Sequence, residues 1–410
     1  MDIPRHSGSL PDAARAERAR QRTFAGLDAA RHRIEADDQR ILRMQMAMAA
    51  IPAPTGHESA RARAVDAALA NAGCSSVSQD DAGNVIARLR PEAAEPSDNV
   101  DAPVVCLAHL DTVFPQEMPL VPAQDGAHVA CPGIGDNGRG LAAFIAVAEQ
   151  LAHPDVRGLL RRPIELVATV GEEGAGNLRG ARHYFDSREE RGAPRPHAVL
   201  VLDGPGDSAI VHHAIASARL RVHLDGPGGH SWVDRDVSSA IAAAAVAIGA
   251  IGRLGDSLRP DGSVTVTRMG GGESLTSIPQ HAWFDVDMRA RFPMVLARAR
   301  VELHRILASS AGGLRWRTQN LGERPGGHLD DTHPLVVLAQ HATRWHGVEP
   351  VSAMASTDAN IPLSRGIPAV TIGAGGTGGA AHTAAEWYDN RNGPRGIARA
   401  LGIIAALAAD

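Results

Sequence analysis

Three apolar runs in this 410-residue chain end in acidic residues, and that repetition constrains the fold more than anything else in the sequence. Val104-Val-Cys-Leu-Ala runs into His109-Leu-Asp111, Ile164-Glu-Leu-Val-Ala-Thr-Val into Gly171-Glu172-Glu173-Gly, and Val199-Leu-Val-Leu into Asp203-Gly-Pro-Gly. Short, almost uninterrupted apolar runs belong to strands covered on both faces, the condition of a parallel sheet flanked by helices. Open sheets of that kind gather their ligands beyond the carboxyl ends of the strands. Each acid taken singly would serve as a turn cap, but three in succession at one edge predict a metal site. The predicted fold class is α/β with a mainly parallel sheet.

Residue order within these motifs divides the work. Neighbours on an extended chain point to opposite sides, so one of Glu172 and Glu173 can hold a metal while the other handles a proton. In His109-Leu-Asp111 the same alternation returns both polar side chains to one face, where a carboxylate can orient an imidazole on a metal. Asp136 lies in the glycine-rich stretch Pro132-Gly-Ile-Gly-Asp-Asn-Gly-Arg-Gly, ahead of a helix predicted over Leu141–Leu151. The sequence has no lysine, all 41 basic residues being arginine, which excludes a Walker-type phosphate loop and lysine Schiff-base chemistry. An acid amid glycines then suits a cation. The GxGGxGG run from Gly373 to Gly379 lacks the helix and acidic partner of a nucleotide fingerprint, and reads as pliant backbone leading to His382.

A net charge of -5 gives no reason to expect nucleic acid or an anionic membrane as partner. Cys74, Cys106 and Cys131 show no CxxC spacing and fit a reducing cytoplasm better than a disulfide framework. Residues 1–40 are rich in arginine and alanine. Asp12, Glu17, Asp28 and Glu35 interrupt that positive charge and no signal-peptide core or membrane-length run is read, so a surface helical arm is expected.

The rhythm of the chain changes after His212. A strand from Ala218, a helix over Ala240–Leu254, strands from Ser263 and Ala282, a helix over Val295–Leu307 and a strand over Leu314–Thr318 follow in the order βαββαβ. That order predicts a ferredoxin-like insert over residues 212–321, dividing a catalytic domain into 41–211 and 322–410.

In sequence order, Ala108-His109-Leu-Asp111-Thr, Gly135-Asp136-Asn, Gly171-Glu172-Glu173-Gly, Leu202-Asp203-Gly, Gly228-Gly-His230-Ser and Ala381-His382-Thr resemble the motifs of the M20 metallopeptidases. These are co-catalytic zinc exopeptidases and deacylases, and the likeness is to the peptidase T-like and tripeptidase-like branch. The resemblance implies two divalent ions, Zn²⁺ first and Mn²⁺ or Co²⁺ in the same geometry, held by His109, Asp136, Glu173, Asp203 and His382 with Asp136 bridging. It implies Glu172 as general base toward a shared water and Asp111 as the group behind His109. It further implies that the insert dimerises and that His230 reaches the partner's site to stabilise an oxyanion. Arg289 is expected to meet a substrate carboxylate, and Asn360, in Ser356-Thr-Asp-Ala-Asn, to contact the substrate. Thr276 stands where the family usually has asparagine before x-Ile-Pro, which puts recognition of the substrate terminus in question. Aspartate at position 203 resembles the aminopeptidase and dipeptidase members. The expected activity is exopeptidase action on short peptides, with N-acyl amino acid deacylation as the alternative and a non-catalytic metal-binding homologue as the last.

Overall fold

The computed structural model describes residues 21–91 and 102–409. The three acid-tipped runs become Val104–His109, Ile164–Thr169 and Ala198–Leu202, each buried along its whole length. With Ala369–Ile372 they form the parallel centre of a nine-stranded sheet, in the order Ile164–Thr169, Val104–His109, Ala198–Leu202, Ala369–Ile372. Antiparallel strands extend it on either side, Val85–Leu89 beyond the first and Ala209–Ala214 beyond the last.

Period-two alternation assigns the two faces. Val104, Cys106 and Ala108 belong to the core cluster formed with the helices Gly138–Ala152 and Gly393–Ala409, while Val105 and Leu107 pack with Tyr184 and Phe185 of Arg179–Glu190. Helices on both faces explain why the strands carry no exposed residue.

The described part of the expected arm is docked in the core. Phe24, Leu27, Ala30 and Ile34 recur at helical spacing, and all four are buried in the main cluster. Phe24 lies where the closing helix has Gly402, at which an added Cβ would fall 2.5 Å from the ring. The helix Asp28–Ala36 is therefore a wall of the catalytic unit. Residues 1–20 lie outside the described residues.

The βαββαβ order appears as read. Ala216–Asp225, Gly262–Gly271, His281–Ala290 and Arg315–Arg324 make a separate antiparallel sheet, in the order Gly262–Gly271, His281–Ala290, Ala216–Asp225, Arg315–Arg324. Val222, Phe284 and Met288 pack with the helices Ala240–Ser257 and Pro293–Ser310 in a core of their own. His212 lies in Ala209–Ala214 of the large sheet, so the crossing into the insert falls at Ile215, and the crossing back comes after Arg324. Among the described residues one helix, Ala240–Ser257, is long and apolar enough by length and composition to span a membrane, with mean hydropathy 1.3 and 39% of it buried, where no such run was expected. Ala240, Ala244, Ala247 and Ile251 of that helix are spent on the insert's core.

A small four-stranded sheet completes the site. Thr377–Gly379 pairs with Trp387–Asp389, which pairs with His128–Ala130, so the connection carrying His382 is fastened beside the loop carrying Asp136.

Candidate metal centre

The five expected ligands converge. His109 ends its strand with the imidazole 2% exposed, and its Nε2 lies 3.0 Å from Asp136 Oδ1 and 3.7 Å from Asp203 Oδ1. The other oxygen of Asp136, Oδ2, lies 3.0 Å from His382 Nε2, which is also 3.0 Å from Glu173 Oε1. Among the described residues three candidate groups have their donor atoms within 4.8 Å of one another, His109 with Asp136 and Asp203, Asp136 with Glu173 and His382, and His109 with Glu172 and Glu173. Asp136 belongs to the first two of these and offers a different oxygen to each histidine, an arrangement that suits a bridging carboxylate.

The charge distribution suits cations. Burial opposes the Asp136 anion, but hydrogen bonds from His109 and His382 outweigh it and hold its carboxyl well below the usual range. The Asp136 hydrogen bond raises His382 to about 9. Burial lowers and the facing Asp111, Asp136 and Asp203 raise His109, for a net rise well above the ordinary imidazole value. Burial pushes Glu173 up to about 6, with Asp136 and Asp111 adding to it against His109 and His382. Carboxylates that crowd together and pull protons onto neighbouring imidazoles form a site with surplus negative charge for a divalent ion to neutralise.

The supporting residues were only partly legible. Asp111 is where it was expected, but His109 Nδ1 is bonded at 3.1 Å to the main-chain carbonyl of Asp111, and the carboxylate stands off at 3.6 Å. That carboxylate instead accepts the backbone N–H groups of Glu172 and Glu173, both at 2.9 Å, and the Thr55 hydroxyl at 2.8 Å. Asp111 thus holds the glutamate pair by its backbone, following the sharp turn that Gly171 makes with φ 63°.

Sequence reasoning missed Glu386. Its buried carboxylate accepts N–H bonds from Gly133, Gly135 and Asp136 at 2.7, 2.9 and 2.9 Å, fixing the loop that carries the bridging ligand. An acid between His382 and an apolar strand was the available signal. Asp358 was also missed. It accepts the Thr169 hydroxyl at 2.5 Å, its other oxygen is buried without a partner, and burial raises its carboxyl to about 6. Arg324 is the third, and its Nη1 lies 3.0 Å from Glu172 Oε1. Glu172 itself is 5% exposed, and burial pushes its carboxyl well above the usual range with Arg324 and His109 pulling the other way.

Three expected residues stand apart from the cluster. Asn360 is fully buried with its amide saturated, accepting Thr357 N–H and donating to the carbonyls of Ile215 and Pro325. Those carbonyls belong to the two crossings between the domains, so its side chain faces the crossings and is not presented to the cleft. Arg289 is half exposed on the helix-free face of the insert's sheet, with Nε 2.8 Å from Asp287 Oδ2. On the same sheet Arg219 reaches across to the Gly174 carbonyl beside Glu173. His230 is exposed, its Nδ1 facing the N–H groups of Trp232 and Val233, in a hairpin closed by Ser231 N–H on the Thr276 carbonyl. Among the described residues no hydrogen bond joins His230 to the metal cluster.

The family model Peptidase family M20/M25/M40 matches residues 105–408, a span that holds every one of these ligands. The chain belongs to the M20 peptidase family. It is a hydrolytic enzyme by that membership. Comparison with curated protein sequences finds no significant match. Solved M20-type structures share the fold. Aminopeptidase PepT of Bacillus cereus is 22% identical with a TM-score of 0.73, over 90% of this chain and 99% of that one. A dinuclear metal-binding M20 peptidase of Bacillus subtilis is 18% identical with a TM-score of 0.66, over 92% and 98%. An amidase of the hydantoinase/carbamoylase family from Burkholderia multivorans is 20% identical with a TM-score of 0.64, over 91% and 98%.

Proposed function

We propose that this M20 enzyme is a metal-dependent exopeptidase that hydrolyses short peptides. The observation carrying the proposal is Asp136 offering one oxygen to His109 and the other to His382, with a buried carboxylate, Glu172, that is within reach of His109 and Glu173 but belongs to neither of the two groups Asp136 joins. The donor set of two imidazoles and three carboxylates fits two divalent ions, Zn²⁺ first and Mn²⁺ or Co²⁺ in its place. His109, Asp136 and Asp203 would hold one, and Asp136, Glu173 and His382 the other. When bound, such ions polarise the scissile carbonyl and acidify a water shared between them. Glu172 would take a proton from the attacking water and pass it to the leaving nitrogen, and burial, by raising its affinity for a proton, suits it to both steps. Arg289 supplies a guanidinium fork for a substrate carboxylate.

His230 is exposed on the insert and makes no hydrogen bond to the candidate ligands of its own chain. A part in the reaction therefore requires the insert to close over the site or a second copy to bring the histidine, and the second copy is the proposed route. A homodimer through the insert is supported by the exposed Val246 on Ala240–Ser257, a helix whose outer side remains apolar. A second reading, hydrolysis of N-acyl or N-carbamoyl amino acids, is favoured by the likeness to a hydantoinase/carbamoylase-family amidase and by Thr276 at the terminus-recognition position.

A panel of di- and tripeptides, blocked peptides, N-acetyl and N-carbamoyl amino acids, assayed with Zn²⁺, Mn²⁺ and Co²⁺, tests the proposal. Cleavage of unblocked peptides with release of a terminal residue is expected. Turnover confined to the N-acyl or N-carbamoyl compounds would establish the second reading, and turnover of nothing would leave a metal-binding homologue.

A further inference from the structure

Arg324 is the last residue of the insert's final strand, and the chain passes from it through Pro325 into Gly327–His328 of the large sheet. It is the one buried residue of a ten-residue strand that is otherwise exposed or half-exposed. A guanidinium taken out of water must be compensated by close acceptors. Its Nη1 donates to Glu172 Oε1 at 3.0 Å and to the hydroxyl and carbonyl oxygens of Ser356 at 3.2 and 3.3 Å, and its Nη2 donates to the Glu172 main-chain carbonyl at 2.5 Å. Glu172 is thus gripped by both its side chain and its backbone. The crossing itself has an independent fastening, since Asn360 binds the carbonyls of Ile215 and Pro325.

The geometry points to Arg324 as a positioning residue for Glu172, tying the orientation of the reacting carboxylate to the seating of the insert. The inference rests on the proposed role of Glu172 in proton transfer. A two-pronged guanidinium fixes one carboxylate oxygen and the same residue's main-chain carbonyl together, so the second oxygen is left to take the proton in a single orientation. Because the fork grows from the insert's last strand, an insert that shifts on its crossings drags the base with it.

The test compares Arg324→Gln, Arg324→Lys, Glu172→Gln and the Arg324→Gln/Glu172→Gln double variant. Arg324→Gln is expected to lower kcat about 10–100-fold, the scale of a misplaced catalytic group, with KM within about twofold and metal content per chain unchanged. Arg324→Lys keeps the charge without the fork and is expected to fold and lose about tenfold in kcat. In the Glu172→Gln background the second substitution should cost nothing more, since Arg324 acts through the residue already removed. In the metal-free protein, amide hydrogen exchange of the segment around Glu172 and Glu173 should quicken in both Arg324 variants while the insert's central strands keep their protection.

Additive losses in the double variant, an unchanged kcat, or exchange identical to the wild type in Arg324→Lys would each overturn the assignment. A wild-type chain that hydrolyses no amide would defeat the proposed function alone, since the exchange measurement judges the clamp without turnover.

Discussion

Replacing Asp111 by asparagine removes one charge and almost no volume, and the structure indicates how much that should cost. The carboxylate is fully buried and accepts three donors, Glu172 N–H on Oδ1 and Glu173 N–H with the Thr55 hydroxyl on Oδ2. An amide keeps one accepting oxygen. In its better orientation it satisfies Glu173 and Thr55 and turns its NH₂ toward the N–H of Glu172, donor against donor. Losing a hydrogen bond to a charged acceptor costs about 1.5–3 kcal/mol, and a buried N–H without a partner about 1–3 kcal/mol. Because these overlap, about 2–4 kcal/mol of stability should be lost. The damage falls on the backbone that presents both glutamates, so metal affinity should drop about 10–100-fold as it does when outer partners of a metal site are removed. Urea unfolding of the metal-free protein and competition with a chelator measure the two losses. An Asp111→Asn protein with wild-type stability and wild-type metal affinity would refute the view that this carboxylate holds the glutamate pair.

Glu172→Gln should lower kcat about 10²–10⁴-fold and leave the metal content intact, as elemental analysis of the purified variant would show; loss of metal would make Glu172 a ligand. Asp136→Ala should bring bound metal toward none, while Asp203→Ala should spare the site that His382 and Glu173 share, because Asp136 joins the His109–Asp203 group to the Glu173–His382 group and Asp203 belongs to the first alone. Metal affinity should rise with pH from neutrality through about 9, since His382 carries a proton below that value in the metal-free protein, His109 is raised as well, and each imidazole must lose its proton to ligate. The rise should steepen below about 6, where Glu173 is protonated as well, and calorimetry in buffers of different ionisation enthalpy should register proton release on binding at neutral pH. Mixing inactive His230→Ala chains with inactive Glu172→Gln chains should restore activity if one subunit supplies the histidine to the other's site; mixed dimers that stay inactive would exclude that arrangement.

The convergence of the candidate ligands was legible because they sit where local pattern and sheet geometry meet. His109, Glu173 and Asp203 follow apolar runs that can only be buried parallel strands, and the strand ends of such a sheet lie along one edge. Asp136 and His382 were marked by glycine-rich loops, and the register of the small sheet brings those loops together. The insert was legible because its alternation and its two helices form a self-contained order with its own core. The N-terminal helix was misjudged because its charge was weighed ahead of the spacing of Phe24, Leu27, Ala30 and Ile34.

What the chain alone determines is therefore the type of most elements, the class of the fold and which side chains are candidates to ligate, since periodicity and residue chemistry are properties of neighbouring positions. Only the tertiary structure decided which polar atoms satisfy one another across long separations. The grip of Glu386 on the Asp136 loop, the hold of Asp111 on two backbone amides and the reach of Arg324 to Glu172 join residues that share no local pattern. Asn360 shows the same limit from the other side: its position beside the site could be read, but the direction of its amide could not. A buried donor or acceptor is free to take any partner that packing brings within about 3 Å, and packing is settled by the whole core and not by the residues next in sequence.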